Sequence, residues 1–434
     1  MEILALIMFI LVFALILSGY PVGLVLAGVS ILFGIFFVPD FLDLLPLRIM
    51  GIMENQVLIA VPLFIFMGLM FERSGLAEKL LVTMSMLLGR MHGGLAISVI
   101  IVGTLLAASS GIVGATVVTM GLISLPVMLK KGYSAELASG TICSSGTLGQ
   151  IIPPSVVLIL LGSVMNVSVG DLFKSALLPG LLLVLMYVIF IFVYAFLRPQ
   201  EAPRLTKEEI LEFKADNDWK SIMQVFVFPV LLILAVLGSI FAGVATPTEA
   251  AALGALGASL LAMYSKKFNL KNLKYVSKET TYLTSMVFLI LLGATTLSLV
   301  FRGLGGERYL VEAITSSGIS APVFLLLVMI VVFIAGFFID FIEIVFIIVP
   351  VVSPILIAYK IDLVWFAILL AVNLQTSFLS PPFGFALFYL KGVAPPELTT
   401  AKLYKGIVPF IIIQLLVLAM LAFVPDSIYW IYGK

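Results

Sequence analysis

The residues able to do chemistry in this chain cluster in two short stretches of hydroxyls, glycines and prolines. The first is Ser144-Ser145-Gly146-Thr147-Leu148-Gly149-Gln150-Ile151-Ile152-Pro153-Pro154-Ser155, and the second is Thr376-Ser377-Phe378-Leu379-Ser380-Pro381-Pro382-Phe383-Gly384. Both interrupt runs that are otherwise apolar enough to cross a bilayer. Proline brings no N–H to the helical ladder and glycine brings no side-chain restraint, so each stretch breaks its helix. A break frees backbone carbonyls and amides, and hydrocarbon tolerates these only where protein or a polar cavity satisfies them. Freed carbonyls beside hydroxyls suit a hard cation such as sodium. Freed amides at the start of a half-helix favour an anion. Two broken helices at matching places in two halves of a chain are the sequence mark of a secondary transporter.

Two further stretches must face these breaks. Leu95 to Leu129 is roughly 35 residues, too long for one span of about 20, and it is cut at Ser109-Ser110-Gly111. Val323 to Ile357 is cut near Asp340-Phe341-Ile342-Glu343. Each reads as a re-entrant hairpin whose tip meets a break. The first predicted cation site therefore combines Ser109, Ser110 and Gly111 with Ser145, Gly146 and Gly149, and the second combines Asp340 with Thr376, Ser377 and Ser380. The substrate pathway is assigned to Ser144, Pro153, Pro154, Ser155, Pro381, Pro382 and Glu343. A charge within an apolar run is costly and faces a cavity or a partner, which singles out Asp340 and Glu343. The competing reading is plainer: the small residues only let helices approach closely, and the two acids lie near an outer mouth. No arginine or lysine falls in the predicted site region, so backbone amides and hydroxyls are expected to meet an organic anion.

The elements that position these residues follow from composition. With 434 residues, 11% charged, a net charge of +1 and a mean hydropathy of +1.26, the chain is an all-α polytopic membrane protein. A β-barrel would alternate in ten-residue segments, and these runs do not. The start, Met1-Glu2-Ile3, has no basic region and no small-residue cleavage site, and reads as a retained helix. Single copies of Cys143 and His92 supply neither an internal disulfide nor a His-based metal site. Thr246-Pro247-Thr248-Glu249 reads as a capping box at a helix start, a structural feature.

The halves repeat. Pro126 and Pro354, Pro153 and Pro381, and Pro154 and Pro382 are each 228 positions apart; Arg73 and Arg302 are 229 apart; Pro21 and Pro247 are 226 apart. The first repeat (residues 1–198) reads as Ile3 to Leu17, Gly23 to Val38, Val57 to Phe71, the first hairpin, a broken helix from Ala135 to Val164, and Ser175 to Phe196. The second (222–434) reads as Phe226 to Phe241, Thr248 to Tyr264, Tyr282 to Phe301, the second hairpin, a broken helix from Leu363 to Leu390, and Ile407 to Val424. Residues 199–221 form the one long polar segment, read as a cytoplasmic linker with a short surface helix. Five crossings per half is odd, so the second repeat must be inverted. With the N-terminus outside, 18 of the 24 basic residues fall on inner loops and 6 outside (Arg48, Lys174, Arg302, Arg308, Lys360 and Lys434), as the positive-inside rule requires.

With these residues in view, the chain resembles the large membrane subunit of the tripartite ATP-independent periplasmic (TRAP) transporters, DctM-like. The resemblance rests on Gly149-Gln150-Ile151-Ile152-Pro153-Pro154-Ser155, Ala245-Thr246-Pro247-Thr248-Glu249-Ala250 and Ser380-Pro381-Pro382-Phe383-Gly384, and it runs nearly the full length. It implies an inverted-repeat, elevator-type carrier in a bacterial inner membrane, with a periplasmic N-terminus and sodium as coupling ion. It also implies two partners, a small four-helix membrane subunit (DctQ-like) and a periplasmic solute-binding protein that delivers an organic acid. No nucleic acid and no organic cofactor are expected. The alternative within transport is a self-sufficient sodium-coupled carboxylate carrier. An intramembrane enzyme would need a His-Glu-x-x-His motif, a serine with a positioned histidine, or two facing aspartates, and ATP hydrolysis a Gly-x-x-x-x-Gly-Lys loop; none of these is in the sequence.

Overall fold

The computed structural model describes residues 1–206, 208–209 and 219–432, and the side chains of all of these except 110, 219–222 and 430–432. Every regular element among them is helical, and seven helices are long and apolar enough to cross a membrane. The protein is a multi-pass membrane protein.

Both hairpins and both broken helices are present as elements. The first hairpin is Gly94–Ser110 and Val113–Lys130, turned by Gly111 at φ +62°. A left-handed turn there suits glycine because no Cβ collides with the following carbonyl. The second hairpin is Ala321–Ala335 and Phe341–Ala358. The first broken helix runs Ala135–Thr147, a 3-10 turn Leu148–Gln150, then Val156–Met165. The second runs Leu363–Leu379 and Phe385–Val393. Polar N-caps start the half-helices: Ser134 accepts from Leu137 N, Ser155 from Leu158 N, and Asp362 from Trp365 N. Both Pro-Pro bonds, Pro153-Pro154 and Pro381-Pro382, are cis.

The remaining helices pair reciprocally. Val22–Phe37 of the first half packs along Leu270–Gly303 of the second, while Pro247–Tyr264 of the second packs along Ala60–Arg73 of the first. A Cβ built at Gly293 would lie 2.7 Å from the Gly23 carbonyl oxygen, so only two glycines allow that crossing. The crossed helices form one body, and the hairpins, the broken helices and the helices Val169–Leu197 and Thr400–Phe423 form a second that packs against it. The second body has its own glycine contact: a Cβ at Gly406 would lie 2.1 Å from the Glu136 carbonyl oxygen. Side-chain hydrogen bonds between the bodies include Asn55 Nδ2 to Ser163 Oγ (3.1 Å) and Thr119 Oγ1 to Glu72 Oε1 (2.5 Å).

Several elements differ from the sequence reading. The helix expected from Tyr282 begins at Leu270, because Asn269 caps it and the added turns carry Lys271, Lys274 and Lys278 outside the apolar run. The helix expected from Ser175 begins at Val169 under a Ser168 cap. Two amphipathic helices, Leu76–Leu88 and Gly306–Ser316, were not anticipated because neither is apolar enough to register as a span. They occupy equivalent places in the two halves, and each follows a left-handed glycine, Gly75 (φ +70°) or Gly305 (φ +80°). The first part of the linker, residues 199–206, is a non-helical strap; the short surface helix expected in the linker is left to the later part, of which 208–209 are helical and most lies outside the described residues. The strap's Ala202 and Glu201 carbonyls accept from Gly93 N (3.0 Å) and Ser134 N (2.9 Å), and Leu205 N donates to Gly89 O (2.9 Å). Backbone groups that pair with neighbouring elements are unavailable for a helical ladder. Residues 207 and 210–218 lie outside the described residues.

Candidate functional site

In the first half, the hairpin tip and the break are in backbone contact. A Cβ at Gly149 would lie 2.4 Å from the Ala107 carbonyl oxygen, and one at Gly111 would lie 2.9 Å from Val156 Cγ2 and 3.1 Å from Val156 N. Ser145 fits against Gly103, whose Cβ would come within 2.4 Å of the Ser145 hydroxyl, and Gly146 against Val117. The structure thus packs Ser145, Gly146 and Gly149 of the broken helix onto the hairpin, and Gly111 of the hairpin turn onto Val156. The hydroxyls of Ser109 and Ser145 donate to Leu106 O (2.8 Å) and Ile142 O (2.9 Å) within their own helices. A hydroxyl used this way keeps its lone pairs free for a cation. The Ser144 hydroxyl is buried with no hydrogen-bond partner among the described residues, as are both side-chain amide atoms of Gln150 in the break itself. Ser110 ends its helix, and its side chain lies outside the described residues. Ser155 caps the second half-helix and donates to Gln150 O (2.7 Å), so its hydroxyl is engaged by the break itself. Ile151, Ile152, Pro153, Pro154 and Ser155 are all buried.

The second half makes the same contact with side chains. Ser377 Oγ donates to Phe333 O (2.6 Å) and Asn373 Nδ2 to Met329 O (2.8 Å), so the broken helix is hydrogen-bonded to the first arm of the hairpin. Gly336 gives Ser377 its room, since a Cβ there would meet the Ser377 hydroxyl at 2.4 Å. Thr376 and Ser380 donate to Val372 O and Thr376 O, each at 2.8 Å, leaving oxygen lone pairs unused. Pro382 and Phe383 are exposed, Pro381 is half-buried, and Phe383 stacks at 5.3 Å on Phe338.

Asp340 and Glu343 form a capping box at the start of Phe341–Ala358. An Asp340 carboxylate oxygen accepts from Phe341 N (2.7 Å), and Glu343 Oε2 accepts from Asp340 N (2.8 Å). Thr246 and Glu249 form another, with Thr246 N donating to Glu249 Oε2 (2.8 Å) and Glu249 N to Thr246 Oγ1 (3.3 Å). The sequence reading recognised the motif at 246–249 but not the Asp-x-x-Glu at 340–343, where the signal was equally present.

Four features were missed. Asn373 is 2% exposed and ties the second break to its hairpin, yet an amide in an apolar run carries no motif. Tyr389 lies against Gly114 at the first hairpin, where a Cβ would meet its ring at 2.9 Å. Tyr187 and Gln414, on helices that close the two halves, lie together with Gln375 in the interior, and all three are fully buried. Finally, a cavity of about 1040 Å³ opens between the two bodies. Its crossed-helix wall carries Arg48, Thr295, Ser298 and Arg302, and its opposite wall carries Ser163, Phe346, Pro350 and Ser353. None of the predicted site residues lines this cavity, so Arg48 and Arg302 lie outside the region that the sequence assigns to the site. Sequence spacing cannot show that Arg48 and Arg302, some 250 residues apart, share one cavity.

Outside the membrane segments, the strap is anchored by ions. Lys131 pairs with Glu209, and that hydrogen bond holds the Glu209 carboxyl below its ordinary value of 4.5. The Tyr194 hydroxyl donates to Glu201, the main reason its carboxyl is also held low.

Comparison with known proteins agrees with this architecture. The family model described as "Tripartite ATP-independent periplasmic transporter, DctM component" matches residues 9–427. The C4-dicarboxylate TRAP transporter large permease protein DctM of Vibrio cholerae is 31% identical, over 98% of this chain and 96% of its own. The ectoine TRAP transporter large permease protein TeaC of Halomonas elongata is 29% identical, over 95% of both chains. The isethionate TRAP transporter permease protein DctMQ of Oleidesulfovibrio alaskensis is 28% identical over 86% of this chain and 57% of its own. Among solved structures, the Alcanivorax borkumensis YdaH transporter shares the fold at a TM-score of 0.62 and 14% identity, over 91% of this chain and 89% of that one. This chain belongs to the DctM family, the large permease component of tripartite ATP-independent periplasmic transporters.

Proposed function

We propose that the chain is the permease of a sodium-coupled transporter that imports an organic acid, delivered by a periplasmic binding protein and assembled with a small four-helix membrane subunit. The reading rests first on one observation: a hairpin meets a helix break twice, once in each half, with hydroxyl lone pairs left unused at both places. Sodium needs several oxygens without strong charge, and these positions offer them. Ser109, Ser110, Gly111, Ser145, Gly146 and Gly149 would hold one ion, and Asp340, Thr376, Ser377 and Ser380 a second. The hairpins and broken helices form one body that slides against the crossed helices, and the cavity between the bodies is the path exposed to one side of the membrane. The hairpins re-enter from opposite faces, the N-terminus is periplasmic, and the membrane is the bacterial inner membrane.

The family works with a small membrane subunit and a periplasmic binding protein, and the longer DctMQ relative supports the first of these for this chain. The relatives' names span dicarboxylate and ectoine, so the reading stops at an organic acid. Uptake into proteoliposomes tests it, with an imposed sodium gradient and with or without the two partners. Uptake that needs sodium and both partners is the expected result. Sodium-driven uptake by this chain alone would make it a self-sufficient carrier, and sodium-independent uptake would remove the coupling ion.

A further inference from the structure

The cavity between the two bodies is lined by three charged side chains, Arg48, Arg302 and Glu307. Both arginines stand on the crossed-helix body, Arg48 on the helix Leu45–Met53 and Arg302 near the end of Leu270–Gly303. Arg302 Nε donates to Glu307 Oε2 at 2.7 Å, with the Arg302 side chain 54% exposed. Arg48 is exposed to the cavity and has no ion pair or side-chain hydrogen bond among the described residues. The adjoining concavity adds Arg308, which Glu2 already pairs at 3.6 Å, and Glu312. Inside the main cavity, two guanidinium groups thus face one carboxylate. The wall across from them is Phe346, Pro350 and Ser353, with no charge of its own.

We propose that Arg48 and Arg302 form a carboxylate-receiving station on the crossed-helix wall of this cavity, and that Glu307 occupies Arg302 as an internal stand-in until a ligand carboxylate displaces it. The chemistry is that of the guanidinium fork, which takes a carboxylate through two parallel N–H donors. A cleft bounded by low-dielectric walls strengthens the field of the unpaired charge and raises the local concentration of anions. The Glu307 carboxylate on Arg302 shows that this guanidinium accepts a carboxylate at the cavity edge. The station belongs to the wall without the broken helices, so it is separate from the sites at the hairpin tips. It meets cargo before the tips do. The assignment of cargo as an organic acid rests on the proposed function; the positive field does not.

The test uses the whole permease with a reporter thiol at Ser298→Cys, on the same wall. The native Cys143 is fully buried and stays silent. Rates of modification by an anionic sulfonatoethyl and a cationic trimethylammonioethyl methanethiosulfonate are compared. The anionic-to-cationic rate ratio is expected to fall roughly tenfold when Arg48→Gln and Arg302→Gln are combined, to rise with Glu307→Gln, and to shrink at high salt. Arg48→Lys and Arg302→Lys keep the ratio, which separates lost charge from lost folding. Succinate, but not neutral succinamide, is expected to slow the anionic reagent only while the arginines are present. A ratio indifferent to both glutamine variants overturns the proposal. So does a ratio that falls while neither succinate nor citrate protects, because the arginines would then supply a field and no station. Arginine-dependent protection without sodium-driven uptake would leave the station standing and remove the coupling proposed above.

Discussion

The two halves place a hairpin tip against a helix break, and they hold that contact by different means. In the first half the contact is steric: Gly149 lies on the Ala107 carbonyl, Gly111 on Val156 and Gly146 on Val117, and the whole break from Ile151 to Ser155 is buried. In the second half it is polar: Asn373 and Ser377 reach across to hairpin carbonyls, an Asp340–Glu343 box closes the tip, and Pro382 and Phe383 stay exposed. A backbone-to-backbone contact tolerates no added atom. A hydrogen-bonded one tolerates change of size but not loss of a donor. One topology therefore carries two different mutational sensitivities, and the difference can be tested directly.

The largest effect is expected from Gly149→Ala. The new methyl meets a backbone oxygen that cannot rotate away, so overpacking of about 3 kcal/mol is expected. Thermal unfolding in detergent should show a marked loss, and uptake should vanish. Gly28→Ala, with nothing within 4 Å of its Cβ, serves as the control and should behave as wild type. A stable, active Gly149→Ala would mean that the first contact is not steric.

Asn373→Ala and Ser377→Ala come next. Each removes one buried side-chain hydrogen bond, about 1–2 kcal/mol, and the pair should loosen the second hairpin without touching the first. Hydrogen exchange of the segments 321–335 and 94–110 separates these outcomes. Equal loss of protection in both would erase the distinction between the halves.

Asp340 sharpens the comparison, since the first tip has no equivalent acid. Asparagine caps a helix as well as aspartate does, so Asp340→Asn should fold normally. As a sodium ligand its loss of charge should raise the half-saturating sodium concentration about tenfold, roughly 1.4 kcal/mol. Unchanged sodium dependence would leave Asp340 a cap only. Asp340→Ala should add a stability loss of about 1 kcal/mol.

The smallest effect concerns the strap across the first half. The Glu209 carboxyl is held below its ordinary 4.5 by Lys131, so its contribution is fully present above that value. It is lost as pH falls through the lowered folded value, because protonation then favours the unpaired state. Proteolysis around residues 199–209 should quicken only in that acid range, and Glu209→Gln should abolish the step. Both partners are about a third exposed, which keeps the effect small.

Much of this was legible in the order of residues. Proline and glycine act on the backbone where they stand, so the breaks at Pro153-Pro154 and Pro381-Pro382 and the turn at Gly111 could be placed without tertiary information. The amphipathic helices Leu76–Leu88 and Gly306–Ser316 escaped because a search for bilayer-length apolar runs passes over them. Within the site, Gly149 and Ser377 were identified by type, but what each touches was not. Asn373, Tyr389 and Tyr187 escaped altogether, since a lone polar side chain in an apolar run gives no spacing to recognise.

By itself the sequence determined the helices and their interruptions, because these depend on local backbone chemistry and on hydropathy over about 20 residues. Tertiary structure alone decided the exchange of helices between halves and the turning of the Asp340 carboxylate onto its own helix start. It alone decided the meeting of Arg48 with Arg302 in one cavity. Those outcomes depend on which surfaces approach within a few ångströms, and residues hundreds of positions apart carry no local record of that.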